Sequence, residues 1–168
     1  MIEQDYLMRI LLQFAEIIRR SWTKANDEHD PKRAADMLED AVGQATDLDG
    51  GVLLSLSPES IASVMQVSGI DPRVTEHIAR SLLLASGYLH EAGEHQLAAV
   101  RAEQARAIAD AYGLELPDSP EELAQLLDQA DAELVRDAES SMGPLGYEVD
   151  VPAPAEPLVE HVEDRDLR

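Results

Sequence analysis

The sequence predicts an all-α protein of about six helices, packed as antiparallel hairpins in a bundle. Apolar residues recur every three or four positions through most of the chain, as a helix with one buried face requires. Alternating runs of β-branched and aromatic residues, which are typical of strands, are missing, and aromatic residues make up only 4% of the chain. Polar capping residues followed by proline mark where several of the helices begin.

The first predicted helix runs from about Ile2 to Ala25 and is unusually apolar. Drawn at 100° per residue, its polar residues occupy one narrow side. The apolar arc is then about 200° wide, whereas a helix covered on one side needs a stripe of roughly 100°. This arc holds Tyr6, Leu7, Met8, Ile10, Leu11, Phe14, Ile17, Ile18 and Trp22.

Three arrangements would cover this arc: a central place in the domain, a second copy of the chain, or a different partner. Burying one large apolar side chain contributes about 1.5 to 3 kcal/mol, so three exposed ones would forfeit about 5 kcal/mol, comparable with the stability of a whole domain. Because two-fold dimers are the commonest soluble oligomers, we expect a homodimer interface on this helix in addition to core contacts. The predicted interface residues are Leu7, Leu11, Phe14, Ile18 and Trp22.

The second helix is predicted to follow Asp30, which suits an N-cap, and Pro31, which suits the first helical turn. Its apolar face holds Ala34, Met37, Leu38, Ala41 and Ala45. The double glycine at 50–51 then predicts a turn.

The third helix is predicted to start at Ser57-Pro58 and to end near Gly69. Asp71-Pro72 opens the fourth helix in the same way. The apolar residues of the fourth helix, at steps of three and four, are Val74, Ile78, Leu82, Ala85 and Leu89.

The fifth helix is predicted from about Glu94 to Tyr112 and is rich in alanine, which lets a neighbouring helix approach closely. Its alanines include Ala98, Ala99, Ala102, Ala105 and Ala109. The sixth helix begins at Ser119, a good N-cap, and Glu122 occupies the position from which a capping-box carboxylate reaches back. We therefore predict a helical domain over residues 1–140.

Residues 141–168 alternate prolines with acids, a composition that neither builds a helix nor buries much surface. This pattern predicts an acidic, proline-rich, flexible tail. Such a tail serves either as a solubilising end or as a tethered peptide ligand.

The net charge of the chain is −21, and its distribution is uneven. Residues 1–33 carry equal numbers of acids and bases, so the acidic excess lies after residue 33. A field of that sign repels phosphate backbones and anionic lipid headgroups, which argues against nucleic-acid and membrane partners. The chain also lacks an apolar run long enough to span a bilayer and a basic, apolar leader at its start, so we expect a cytoplasmic protein.

Part of the chain, "SLLLASGYLHEAGEHQLAAVRAEQARAIAD", resembles one tetratricopeptide-type helical hairpin. Such repeats place large and small residues in a fixed order on the first helix, a glycine at the turn and small residues on the second helix. The matching residues are Leu82, Ser86, Leu89, Gly93, Ala98 and Ala105. The resemblance implies that the hairpins stack as a right-handed α-α superhelix.

The opening "EQDYLMRIL", followed by the apolar helix, resembles an uncharacterised bacterial family, a domain of unknown function with a tetratricopeptide-like body. The resemblance brings no catalytic residues with it.

Two short motifs approach metal sites without completing them. "HEAGEH" at 90–95 misses the two-histidine spacing of a zinc-binding helix by one position, and its glycine interrupts the helix between the two rings. "DLDGG" at 47–51 lacks a third oxygen ligand before the glycine and carries Pro58 where a calcium loop needs glutamate. The chain has no cysteine and no phosphate-binding glycine loop, and we expect no metal and no cofactor.

These observations favour a non-enzymatic, helical-repeat-like module that offers a groove or a helical face to a protein or peptide partner. One alternative is a small-molecule-binding or hydrolytic protein with a carboxylate-lined pocket. Another is an acidic protein that imitates nucleic acid and occupies basic proteins.

Overall fold

The computed structural model describes residues 2–141, which form seven helices and no strand. The helices are α1 (Ile2–Asn26), α2 (Pro31–Thr46), α3 (Gly50–Leu54), α4 (Pro58–Ser68), α5 (Pro72–Glu91), α6 (His95–Tyr112) and α7 (Pro120–Ser141). The all-α prediction is confirmed, while the stacking of the hairpins into a superhelix stays a prediction. The predicted tail at 141–168 lies outside the described residues, apart from the last residue of α7. None of the seven helices has the length and hydropathy to cross a bilayer.

Four helices begin where the sequence predicts, each with a polar cap followed by proline. The cap side chain accepts a hydrogen bond from a backbone N–H that the first helical turn leaves free, as Asp30 does from the Arg33 N–H at 3.1 Å. The four pairs are Asp30-Pro31, Ser57-Pro58, Asp71-Pro72 and Ser119-Pro120. The carboxylate of Glu122 reaches back one residue further than in a capping box, because it accepts a hydrogen bond from the Asp118 N–H at 3.2 Å instead of from the Ser119 N–H.

The prediction of a turn at the double glycine is wrong, because these residues open the short helix α3. Asp49 caps α3 by accepting a hydrogen bond from a backbone N–H of its first turn at 3.0 Å. The left-handed residue of the connection is Asp47, with φ of 54°. Here glycine permits a close approach of two helices, since a Cβ on Gly43 of α2 would lie 3.0 Å from the Cα of Gly50.

Helix α5 is the centre of the fold, and α1 lies at its edge. Helix α5 packs against α1, α2, α6 and α7, whereas the main neighbours of α1 are α2 and α5. The largest fully buried side chains of α5 are Ile78, Leu82, Leu83 and Leu89. Within residues 2–141, α1 is therefore not the central helix that the first of the three arrangements requires.

A buried polar network joins α6 to α2 and to the end of α3. The Arg101 guanidinium donates to Glu39 Oε1 at 2.7 Å and to the Leu54 carbonyl at 2.8 Å. The Gln104 amide donates to the carbonyls of Leu54 and Leu56 at 3.0 and 2.8 Å. Because the last carbonyls of a helix have no partner within it, these two side chains of α6 satisfy the end of α3.

Candidate docking groove between α1 and α7

Helix α1 carries two adjacent, largely apolar stripes, each with the three- and four-residue spacing of a packed helical face. The inner stripe packs against the core and consists of Leu7, Leu11, Phe14, Ile18, Ser21 and Ala25. The outer stripe is displaced by one residue, is exposed, and consists of Met8, Leu12, Ala15, Arg19 and Trp22. The exposed fractions of its large apolar side chains are 57% for Met8, 63% for Leu12 and 45% for Trp22.

Four of the five predicted interface residues lie on the inner stripe. Phe14 is 2% exposed, and its ring centroid lies 5.9 Å from that of His77 on α5. The other three are half-buried against the same core: Leu7, Leu11 and Ile18. Only Trp22 belongs to the exposed stripe. Sequence reasoning did not single out Met8 and Leu12 as interface residues, although the same spacing, read one residue further along, would have found them.

An open groove runs between α1 and α7, with α5 as its floor. The floor is formed by Leu84 and Tyr88, which are both buried. The α1 wall presents Ile18 and Trp22, and the α7 wall presents apolar side chains of its first two turns, Ala124 and Leu127. The groove has a volume of about 240 Å³. Its lining is therefore apolar on three sides, and the outer stripe of α1 continues from its edge.

The position of α7 depends on the contact between Gly87 of α5 and Pro120, the first residue of α7. A Cβ at Gly87 would lie 2.7 Å from the Pro120 Cβ, far closer than two non-bonded carbons approach, so only glycine permits this docking. Beyond Trp22 the groove continues into a smaller pocket of about 110 Å³, which Pro120 and Glu121 help to line.

The charged residues of the groove are distributed unevenly. Arg19 lines the α1 side. Asp128 lines the α7 side, and Glu91 and Glu121 line the smaller pocket at the end of α5 and the start of α7. The groove is therefore acidic along α7 and at that end, and basic only where α1 contributes Arg19.

Tyr88 on the groove floor has a perturbed phenol. Burial raises its pKa, contact with the Ser21 hydroxyl lowers it, and the negative charge of Glu91 raises it further. The net effect is a pKa above the usual value of a tyrosine. The floor of the groove thus stays uncharged well into the alkaline range.

A wider cleft of about 710 Å³ lies at the other end of α1, where Glu3, Asp47, Asp71 and Arg73 are among its lining residues. The Asp71 carboxylate is already used, because it accepts hydrogen bonds from the Arg73 N–H at 2.8 Å and from its guanidinium at 3.2 Å. These hydrogen bonds lower the pKa of Asp71. Among residues 2–141, no three histidine or acidic side chains come together as ligands for a metal ion.

The histidines of the "HEAGEH" segment lie on the two sides of a helix-helix turn. Gly93 has φ of 84° and separates α5 from α6, as the interrupted spacing predicts. The His90 and His95 rings are both exposed, with centroids 4.5 Å apart in an edge-to-face arrangement. They form a surface contact at the end of the α5–α6 hairpin.

No family model, curated protein or solved structure matches the chain.

Proposed function

We propose that this protein is a non-enzymatic interaction module that binds a helix of another polypeptide along the outer stripe of α1 and in the groove between α1 and α7. The observation that carries the proposal is the exposure of Trp22, Leu12 and Met8 beside an open apolar groove.

The shape of the site suits a helix. An amphipathic helix docks by placing one apolar face, repeating at three- and four-residue steps, into a groove between two others. The outer stripe of α1 has that same spacing, and the residues of α5 and α7 supply the floor and the second wall. A docked helix would contact three helices at once, which brings the buried area towards the roughly 800 Å² per partner of a stable complex.

The free energy of burial favours an occupied groove. A large apolar side chain moved out of water contributes about 1.5 to 3 kcal/mol. On its outer stripe, helix α1 presents three exposed large hydrophobic residues: Met8, Leu12 and Trp22. A contiguous apolar surface of this kind is typical of a protein-protein contact.

The alternative function, binding or hydrolysis of a small molecule in a carboxylate-lined pocket, has less support. The wider cleft does contain acidic residues, but the carboxylate of Asp71 caps α5 and pairs with Arg73. Part of the acidic character of this cleft is therefore already used within the protein.

The proposal is tested with synthetic amphipathic helices of about 18 residues, long enough to form helix on docking. Trp22 is the only tryptophan of the chain, so its emission reports on the groove directly. Binding should shift that emission to shorter wavelength, because the docked helix removes water from the indole. Leu127→Glu in the groove and Leu12→Glu on the outer stripe should each weaken binding at least tenfold, as burying an unpaired carboxylate requires.

Val67→Glu is the matched control, since Val67 is 89% exposed on α4 and lies outside the groove. It should leave binding unchanged. Circular dichroism of each variant verifies that the fold is retained. If no peptide of the panel shifts the Trp22 emission, or if Val67→Glu weakens binding as much as Leu127→Glu, the proposal is wrong.

A further inference from the structure

We infer, resting on the proposed function, that the helix bound in the groove belongs to a partner protein and is basic and amphipathic. Its apolar face would cover Trp22 and Leu127, and its lysine or arginine side would lie along α7.

The first support is the charge of the groove itself. Asp128 lines the α7 wall, and Glu91 and Glu121 line the adjoining pocket. Among the residues that line the two pockets, the acids outnumber the bases by three to one. A partner with bases on one flank is attracted to this wall, whereas an acidic helix is repelled by it.

The second support is the placement of the acids on α7. Glu121 and Asp128 are seven residues apart, two turns of the helix, and therefore lie on the same face of α7. An incoming helix would meet both carboxylates along one flank, so its basic flank would lie towards them. Charge complementarity would thus orient the helix about its own axis.

A second copy of this chain fits the groove less well than a basic partner. Each copy carries a net charge of −21, and the approach of two such chains is opposed by their mutual repulsion. The predicted homodimer is therefore the less favoured occupant, and the experiment below distinguishes the two.

The experiment uses the full chain and three peptides that share one leucine-rich face and differ only in their polar face, which carries lysine, glutamine or glutamate. Trp22 emission gives the Kd of each. At low salt the lysine peptide should bind about tenfold more tightly than the glutamine peptide, since several rim charge pairs contribute modestly each. The glutamate peptide should bind most weakly, and added salt should reduce the difference.

A double variant, Glu121→Gln with Asp128→Asn, removes two charges of the acidic wall. It should weaken the lysine peptide about fivefold and the glutamine peptide by a clearly smaller factor. The matched control is Glu59→Gln with Glu103→Gln, which makes the same change in net charge at exposed positions of α4 and α6. This control should alter the Kd of the lysine peptide by less than twofold.

Equal affinity for the lysine and glutamine peptides would overturn the inference and leave the proposed function intact. The same follows if the control variant weakens binding as much as the wall variant, because the attraction would then come from net charge alone. A dimer in sedimentation, together with Trp22 emission that is already at short wavelength without peptide, would also overturn the inference. The occupant of the groove would then be a second copy of the chain. Failure of all three peptides to bind would instead refute the proposed function.

Discussion

Replacing Gly87 by alanine should loosen the docking of α7 and so disturb the groove without altering any residue of α1. The new Cβ would lie 2.7 Å from the Pro120 Cβ and 3.3 Å from its Cγ. A proline ring at the start of a helix cannot swing aside as the end of a long side chain does. Helix α7 must therefore move away from α5.

Two opposing effects set the size of the change. Alanine is favoured over glycine inside a helix by about 1 kcal/mol. Forcing an extra carbon into a packed contact costs about 1 to 3 kcal/mol. The overlap here is severe, so the second effect should prevail and the free energy of unfolding should fall by about 1 kcal/mol.

The measurement combines urea denaturation with amide hydrogen exchange. Denaturation gives the loss of stability, and exchange shows where it falls, which should be α7 and the facing turns of α5. The affinity for a docked amphipathic peptide should fall in the same variant, because the α7 wall of the groove is displaced.

A double-mutant cycle with Pro120→Gly separates the clash from the helix propensity. In the Pro120→Gly background the contact is gone, so Gly87→Ala should become neutral or stabilising, with a coupling energy of about 2 kcal/mol. If Gly87→Ala stabilises the natural chain, or if the cycle shows no coupling, the account of α7 docking is wrong.

Three further predictions follow from buried polar groups. Ser81→Ala should stabilise the protein by about 1 kcal/mol, because the Ser81 hydroxyl is buried with no partner in the described chain. Ser86→Ala on the same helix removes a 2.6 Å hydrogen bond and should not stabilise the protein. Urea denaturation measures both changes. Arg101→Met should destabilise the fold by about 3 kcal/mol, because it leaves the half-buried carboxylate of Glu39 unpaired. Arg80→Met breaks the more exposed pair with Glu76 and should destabilise the fold by about 0.5 kcal/mol in the same assay. Because burial raises the pKa of Tyr88, the stabilisation due to its neutral phenol is complete below pH 10 and is lost as pH rises through the folded pKa. The urea midpoint measured across that range should therefore fall less for Tyr88→Phe than for the unmodified protein.

The starts of the helices could be predicted from the sequence because capping is local. An acidic or hydroxyl side chain followed by proline satisfies the first turn wherever it occurs, so Asp30, Ser57 and Asp71 marked true helix starts. The double glycine at 50–51 could not be assigned in the same way from the local sequence. Glycine serves both for turns and for close helix contacts; here Gly50 opens a helix that Asp49 caps and that approaches Gly43 of α2 closely.

The buried network of α6 was also beyond prediction. Arg101 and Gln104 lie on α6, for which the sequence predicts an alanine-rich packing surface. Their partners include backbone carbonyls at the end of α3. The local sequence pattern does not indicate those partners, because they are distant along the chain. A polar side chain is placed inside only when the fold brings an unsatisfied group to it.

From the sequence alone one could determine that α1 has more apolar surface than a single neighbour covers. Which stripe of α1 meets the core was decided by tertiary structure, because Phe14 and Leu12 belong to stripes of the same spacing and only the places of α2 and α5 distinguish them. The groove likewise exists because the start of α7 rests on Gly87 of α5. Periodicity is a property of the chain, whereas burial depends on which helices arrive beside it.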